Sequence, residues 1–263
     1  MFYNLVKTPA VVKTGNNILE HLDKILQDAH LFFPSKVLIT QKELFNLYEG
    51  KLNKCRFNNV FFVRGGTTDE APSLCNQLTD RDALVVAFGG GSVLDIVKYC
   101  ASKQDIPFIT VPSTLSNDAV YSCVSRLTNN GKKTSYGVQP PIGIVVDFEI
   151  IKRSPKNLIL AGVADIVSNL SACQDWLLAY HDIKEPINEI AYMLAKEAAL
   201  PLFDYSEEDL LTDKFLFDLT NGIVTSGLSM IVSGNTRGTS GAEHLISHAI
   251  DEFFPMESLQ YAA

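Results

Sequence analysis

Carboxylate and imidazole side chains in the second half of the chain have types and spacing suited to metal chemistry. Asp165 stands in the segment Gly162-Val-Ala-Asp165, where we predict the start of a helix, and His244 and His248 are four positions apart, on one helical face. An aspartate and one or two histidines that meet in a cleft would suit Zn²⁺ or another divalent transition metal. The alternative is structural, because such histidines are often hydrogen-bonded or partly exposed and such aspartates often serve the helix dipole.

A run of three glycines, Gly89, Gly90 and Gly91, followed by Ser92, stands where an apolar strand is followed by an amphipathic helix. Glycines let the backbone approach a pyrophosphate closely, and a helix start supplies unpaired N–H groups with a partial positive charge. The pattern therefore predicts dinucleotide binding, although it is neither the G-x-G-x-x-G nor the Walker spacing. A tight turn without any ligand is the alternative.

A polar loop, Ser113 to Asp118, follows the next predicted strand. Ligands of open α/β sheets bind at the carboxyl ends of the strands, which is where this loop begins. Ser113 and Ser116 are therefore candidates for cofactor hydrogen bonds, and Asp118 for a substrate hydroxyl. An ordinary capping turn would use the same residue types.

The elements that must position these residues alternate in the first half of the chain. Apolar, β-branched runs predict strands over Val37–Thr40, Val60–Val63, Leu84–Phe88, Phe108–Val111 and Ile144–Val146. Helical spacing separates them over Asn17–Asp28, Gln41–Leu52, Thr68–Leu78 and Ser92–Ser102. This alternation is typical of a Rossmann-like, doubly wound, mostly parallel sheet. The Asn-Gly pair at 130 and 131 predicts a β-hairpin before the last strand.

From Pro155 onward the spacing is helical, over Leu158–Gln174, Glu189–Leu200, Asp213–Val232 and Ser240–Phe253. We therefore expect two domains, an α/β dinucleotide-binding domain over 1–153 and an all-α metal and substrate domain over 154–263. The boundary is placed at Arg153-Ser154-Pro155, with Ser154 as a helix cap.

Composition excludes several classes of function. A net charge of −8 and a pI near 5.1 argue against nucleic acid as a partner. The first residues lack a signal-peptide layout, and no apolar run approaches the ~18 residues of a membrane span. The five cysteines form no C-x-x-C pair, so a thiolate metal site or a disulfide framework is not expected. We expect a cytoplasmic protein that binds no membrane and forms a homo-oligomer, a dimer or larger.

Four motifs together resemble the superfamily of iron-containing alcohol dehydrogenases, glycerol dehydrogenases and dehydroquinate synthases. They are GGGSVLDIVK at 89–98, VPSTLSNDAVYS at 111–122, AGVADIVSNLSACQDW at 161–176 and SGAEHLISHAID at 240–251. The last two, with their Ser-Asn, Asp-Trp and Glu-His-x-x-Ser-His features, are most similar to the glycerol-1-phosphate dehydrogenases. The similarity spans nearly the whole chain.

The resemblance implies a role for each matching residue. Cofactor contacts would come from Gly89, Gly90, Gly91, Ser92, Ser113, Ser116 and Ser122. Asp118 and His248 match substrate-binding positions, whereas Asp165 and His244 match metal ligands, with Asp165 near the substrate as well. The implied reaction is hydride transfer between NAD or NADP and a small phosphorylated polyol, with dihydroxyacetone phosphate and glycerol 1-phosphate as the expected pair. Zn²⁺ is the expected metal, with Ni²⁺ or Fe²⁺ as alternatives.

The sequence departs from the family pattern at two places. The third metal ligand of the family is a histidine expected beyond Ala263, so the chain resembles a C-terminally truncated member. Gln41 stands where NAD-preferring relatives often place an acidic residue, which leaves NAD and NADP both open. The alternatives are a dehydrogenase of glycerol or another small polyol, a sugar-phosphate cyclase, which typically has glutamate at position 165, or a catalytically silent nucleotide-binding fragment.

Overall fold

Six parallel strands form the main sheet of the protein, whose computed structural model describes residues 6–254. The strands in chain order are β1 (Val11–Gly15), β2 (Ser35–Thr40), β3 (Asn59–Phe62), β4 (Ala83–Gly89), β5 (Phe108–Pro112), β6 (Val124–Asn129), β7 (Lys132–Gly137) and β8 (Gly143–Asp147). The sheet has the order β1-β8-β5-β4-β2-β3, and every neighbouring pair is parallel. This confirms the predicted parallel sheet. The edge strand β1 escaped prediction because its VVKTG sequence is partly exposed and lacks the apolar run of a central strand.

Helices cover both faces of this sheet. They are α1 (Leu22–Asp28), α2 (Lys42–Leu52), α3 (Ala71–Gln77), α4 (Gly91–Gln104) and α5 (Phe148–Ile151). A buried cluster joins α1, α2 and α5 to alternate residues of β4, Leu84, Val86 and Phe88. Since side chains alternate along a strand, Val85 and Ala87 point to the other face, which α4 contacts. The doubly wound arrangement is thereby confirmed.

The remaining strands, β6 and β7, pair antiparallel as a separate hairpin, as predicted. Its tip is Asn130-Gly131, with φ of 49° and 80°. The two-residue turn whose twist matches that of the flanking strands requires a positive φ at both central residues. Asparagine and glycine adopt a positive φ at little cost in energy.

After Arg153 the described chain is helical, as expected, with α6 (Lys156–Val167), α7 (Asn169–Ile183), α8 (Glu189–Ala199), α9 (Asp213–Ser233) and α10 (Ala242–Phe253). The single helix predicted over Leu158–Gln174 is wrong in one respect, because the chain breaks at Ser168 into α6 and α7. At the break, the Ser168 hydroxyl donates to the Asp165 carbonyl (2.7 Å). Asp165 therefore lies in the last turn of α6 instead of at a helix start. Pro155 occupies the cap position of α6 that was predicted for Ser154.

The expectation that no apolar run approaches the length of a membrane span needs correction at α9. This helix has 21 residues, and an 18-residue window within it has a mean hydropathy of 1.4. However, 56% of that window is buried inside the protein, and α9 contacts α6 and α8. A core helix of a helical bundle has the same composition, because it is apolar around most of its circumference.

Contacts divide the chain into two compact units. The α/β unit comprises Lys7–Thr114 and Ala119–Arg153. The helical unit comprises, among the described residues, 6, 154–254 and the short loop Leu115–Asp118. This loop belongs with the helices because α6 has a glycine at position 162. A Cβ atom there would collide with the Leu115 carbonyl, so its absence lets the loop lie directly on α6.

Candidate functional site

The glycine turn of the α/β unit lies between β4 and α4, as predicted. Gly89 ends the strand, Gly90 is the cap residue of α4, and Gly91 begins the helix. A Cβ on residue 89 would lie 2.7 Å from the Val93 side chain, so this glycine is needed for packing. A Cβ on residue 90 would meet Thr114 at an ordinary 3.4 Å. Gly90, as the cap residue, has no side chain to bond the first N–H groups of α4, which suits these groups to an anion.

A second pair of glycines borders this turn, and sequence reasoning missed it. Gly65 and Gly66, in the loop after β3, have φ of 125° and 67°. A Cβ on either would come within 3.0–3.2 Å of the Ser92 side chain. The Gly-Gly pair directly after a predicted strand was the available signal.

Gln41, which follows β2, is tied to the same loop. Its side-chain N–H donates to the Arg64 carbonyl at 3.0 Å. Glu70 holds the loop from the other end, because its carboxylate accepts from the backbone N–H groups of Arg64 (2.6 Å) and Gly65 (3.1 Å). The end of β2 is therefore occupied by a neutral amide beside a basic residue.

Hydroxyl groups follow β5 beside the glycine turn. The Ser113 N–H donates to the Gly89 carbonyl at 2.9 Å, which brings the two strand ends together. Thr114 was not among the predicted site residues. Its Oγ1 is buried and has no hydrogen-bond partner within the described residues. A buried hydroxyl without a partner is costly unless a ligand satisfies it. Ser122 is fully buried, and its hydroxyl accepts a hydrogen bond from Lys98 and donates one to the Val124 carbonyl. These partners already occupy the hydroxyl, and its contact with the cofactor stays a prediction.

In the helical unit, the structure brings together Asp118 and Asp165, which were predicted from two distant motifs. The backbone N–H of Asp118 donates to Oδ2 of Asp165 at 3.0 Å. Ser116 belongs to the same loop, and its Cα lies 3.4 Å from where a Cβ on Gly162 would be. Ser116 and Asp118 therefore lie on the helical unit, whereas Ser113 lies on the α/β unit.

His244 converges on Asp165 from α10. Its Nε2 lies 3.7 Å from Oδ1 of Asp165, and both side chains are about one-quarter exposed. The His248 ring lies one turn further along, with its centroid 6.2 Å from that of His244. The Asp165 carboxylate raises the pKa of His244 to about 9 against the opposing effect of burial, and Glu243 adds to the increase.

Glu243 and Asp175, which sequence reasoning did not single out, organise the start of α10. Oε1 of Glu243 lies 2.9 Å from Nδ1 of His244 and accepts the Gly241 N–H at 2.8 Å. Asp175 accepts the Ala242 N–H at 2.7 Å. Although burial favours the neutral acid, bonds from His244 and Gly241 hold the pKa of Glu243 below its ordinary value.

The pair of Asp165 and His244 fits one divalent ion. Two ligand atoms that each lie about 2.1 Å from one Zn²⁺ ion are about 3.3–3.7 Å from each other. The lower value applies when the angle at the ion is roughly tetrahedral, and the upper value when that angle is slightly wider. The observed 3.7 Å agrees with the upper value. The described part of the chain holds no cluster of three or more histidine, cysteine or acidic residues arranged for a metal.

A cavity of about 940 Å³ lies elsewhere in the α/β unit, beside β3. Its lining includes Lys42, Phe62, Arg64, Glu70 and Gln77. None of the predicted site residues lines it. Neither Asp165 nor His244 lines this cavity, so we do not take it as the candidate reactive site.

Comparison with known proteins identifies the family. A family model described as iron-containing alcohol dehydrogenase matches residues 13–155. The chain is 32% identical over 254 residues to the glycerol-1-phosphate dehydrogenase (NAD(P)+) of Pyrococcus horikoshii, covering 94% of this chain and 73% of that protein. It is 34% identical over 259 residues to that of Archaeoglobus fulgidus, covering 95% of this chain and 72% of that protein.

Solved structures show the same fold. Glycerol dehydrogenase from Schizosaccharomyces pombe superposes with a TM-score of 0.77 at 18% identity, covering 97% of this chain and 67% of that chain. Sulfoacetaldehyde reductase from Bifidobacterium kashiwanohense, in complex with NAD+, gives 0.73 at 16% identity, covering 100% and 73%. The chain therefore belongs to the iron-containing alcohol dehydrogenase family and, within it, groups with the glycerol-1-phosphate dehydrogenases.

Proposed function

We propose that this protein is a metal-dependent, NAD(P)-linked dehydrogenase that interconverts dihydroxyacetone phosphate and glycerol 1-phosphate. The observation that carries the proposal is the convergence of Asp165 and His244, at 3.7 Å, from the two motifs most similar to the glycerol-1-phosphate dehydrogenases. Relatives at 32% and 34% identity over most of the chain bear that name.

The α/β unit holds the cofactor in this proposal. The N–H groups at the start of α4, with Gly89, Gly90, Gly91 and Ser92, bind the pyrophosphate. Ser113 supplies a further predicted contact, and the orphan hydroxyl of Thr114 adds one. Because Gln41 carries no charge, it favours neither NAD nor NADP strongly, and the cofactor is one of the two.

The helical unit holds the metal and the substrate. Asp165 and His244 hold one divalent ion, for which Zn²⁺ is the first candidate because the donors are one carboxylate and one imidazole, with Ni²⁺ and Fe²⁺ as alternatives. When bound, the ion supplies Lewis-acid chemistry at the oxygen of the reacting carbon. The Asp118 N–H fixes the rotation of the Asp165 carboxylate by binding Oδ2, which leaves Oδ1 directed at His244.

Two further side chains act on the substrate. Asp118 accepts a hydrogen bond from a substrate hydroxyl and so orients it. His248 lies one helical turn beyond His244 on the same face, where it positions the substrate and relays a proton to or from its oxygen.

An absorbance assay tests the proposal. The whole protein with Zn²⁺, dihydroxyacetone phosphate and either NADH or NADPH should oxidise the cofactor. Asp165→Asn keeps the shape of the side chain but removes its charge, and we expect kcat/KM to fall by about 100-fold or more, or about 2.7 kcal/mol. Asp175→Asn is the control, because asparagine still accepts the Ala242 N–H and position 175 is not one of the proposed ligands. No cofactor oxidation with Zn²⁺, Ni²⁺ or Fe²⁺ would contradict the proposal.

The alternatives predict different results. A dehydrogenase of glycerol or another small polyol would turn over glycerol at least as well as glycerol 1-phosphate. A silent nucleotide-binding module would bind NADH in calorimetry without turnover. The cytoplasmic location and the homo-oligomer stay predictions, which fractionation and sedimentation can check.

A further inference from the structure

We propose that Glu243 is a positioning residue that sets the ring orientation and the Nδ1 proton of His244, so that Nε2 is presented to the metal ion. The inference rests on the metal site of the proposed function. It adds to that site a carboxylate that acts through a ligand instead of touching the ion.

The two nitrogens of His244 have different acidic neighbours. Nδ1 lies 2.9 Å from Oε1 of Glu243, whereas Nε2 faces Oδ1 of Asp165 at 3.7 Å. An imidazole that donates its Nδ1–H to a carboxylate keeps the lone pair of Nε2 for a metal, and the same hydrogen bond holds the ring against rotation. The arrangement therefore selects the tautomer that a metal ligand requires.

The carboxylate of Glu243 is itself held in place. Oε1 accepts the Gly241 N–H at 2.8 Å. A Cβ on residue 241 would lie 2.7 Å from Oε2 of Glu243 and 2.5 Å from the Asp175 carboxylate, so the glycine makes room for both acids. The space at the start of α10 is thus matched to these two side chains.

Capping alone does not explain Glu243. Asp175 already caps α10 through the Ala242 N–H at 2.7 Å, whereas the contact with Nδ1 of His244 comes from Glu243. Oε2 of Glu243 is buried without a hydrogen-bond partner within residues 6–254. Burying an unpaired carboxylate oxygen costs free energy, and a residue that served only as a helix cap would avoid that cost. Contact with His244 is what distinguishes the two acids.

Glu243 does not serve as a third ligand. It forms no metal-binding cluster with Asp165 and His244 among the residues that the structure describes. Its Oε1 engages Nδ1, the ring nitrogen opposite the one that faces Asp165. Its influence on the ion must therefore pass through the ring of His244.

Zn²⁺ and Co²⁺ binding to the whole protein tests the inference. Affinity for Zn²⁺ is measured by competition with a chromophoric chelator, and the Co²⁺ site by its visible spectrum. We expect Glu243→Ala to weaken Zn²⁺ binding by about 10- to 100-fold and to alter the Co²⁺ spectrum. Glu243→Gln should recover part of the loss, because its carbonyl still accepts the Nδ1–H. The matched control Asp175→Ala removes only the cap and should bind Zn²⁺ like wild type.

Proton NMR of the Zn²⁺-loaded protein gives a second readout. The Nδ1–H of His244 should be protected from solvent exchange in wild type and in Asp175→Ala, and exposed in Glu243→Ala. Wild-type affinity in Glu243→Ala, or an equal loss in Asp175→Ala, would overturn the inference while leaving the metal site standing. Failure of the wild type to bind either ion would instead overturn the metal site of the proposed function, and the inference with it. If Glu243→Ala does not fold, Glu243→Gln decides, since an unprotected Nδ1–H there also contradicts the inference.

Discussion

The backbone N–H of Asp118 donates to Oδ2 of Asp165 across 3.0 Å, and this bond ties the loop after β5 to the end of α6. The two oxygens of Asp165 therefore have different partners. Oδ2 accepts the N–H of the loop, and Oδ1 faces His244 at 3.7 Å. A loop that follows a strand of the sheet thereby becomes part of the helical unit.

Substitution of Gly162 by alanine tests how closely that loop must approach α6. The new Cβ would collide with the Leu115 carbonyl, so the loop must move away from the helix. We expect the free energy of unfolding to fall by about 1–3 kcal/mol, with a loss of activity as Asp118 is displaced from Asp165. Chemical denaturation and the dehydrogenase assay measure the two effects.

Gly50→Ala is the matched control for Gly162→Ala. Gly50 lies in α2, and a Cβ there would meet nothing within 4 Å. We expect this change to stabilise the protein by about 0.4–1 kcal/mol, because alanine loses less backbone entropy in a helix. Equal stability of the two variants would show that the loop does not need the glycine.

Gly90→Ala separates cofactor binding from folding. A Cβ on this residue fits against Thr114 at 3.4 Å, and its φ of −78° suits alanine, so we expect a loss of about 1 kcal/mol or less in stability. The added methyl group would occupy space that the pyrophosphate needs, and the Kd for NADH should rise by about tenfold or more. Fluorescence titration measures that Kd.

Gly89→Ala provides the contrast, because its Cβ would lie 2.7 Å from Val93 and must disturb the packing of α4 on β4. We expect this variant to lose stability, by about 1–3 kcal/mol. Unchanged NADH affinity in Gly90→Ala would argue that the glycine turn serves packing only.

Gln41→Glu should shift the cofactor preference toward NADH. The new carboxylate at the end of β2 would bind the ribose hydroxyls of NADH and repel the 2′-phosphate of NADPH. We expect the ratio of kcat/KM for NADH to that for NADPH to rise by about tenfold or more. Gln41→Met is the control, since it also breaks the bond to the Arg64 carbonyl but adds no charge. The same ratio in both variants would exclude the electrostatic explanation.

The stability of the metal-free protein should depend on the protonation of His244. Its pKa in the folded protein is about 9, above the ordinary 6.5, because the charged ring is stabilised by Asp165 and Glu243. The folded state therefore holds the proton more tightly than the unfolded chain. This contribution is fully present below pH 6.5 and is lost as the pH rises through about 9.

Urea denaturation after chelation, between pH 6 and 10, measures this dependence. Relative to His244→Gln, the wild type should lose its advantage in the free energy of unfolding across that range. A constant difference between the two proteins would contradict the prediction.

Local sequence determined most of the elements and indicated most of the candidate site residues. Continuous apolar runs predicted five of the strands within one or two residues, because buried parallel strands have no polar face. The Asn130-Gly131 pair predicted the hairpin, since few residues other than glycine and asparagine accept positive φ. The glycine turn before α4 and the shared face of His244 and His248 were also evident from spacing alone.

Tertiary structure decided which of these residues meet. No local pattern could reveal that Asp165 and His244 face each other, because that depends on how α10 packs relative to α6. The surroundings of Gly162, Thr114 and Glu243 were also visible only in three dimensions. Each depends on the space left by residues distant in the chain, and close packing, unlike helical periodicity, leaves no repeating signal in the sequence.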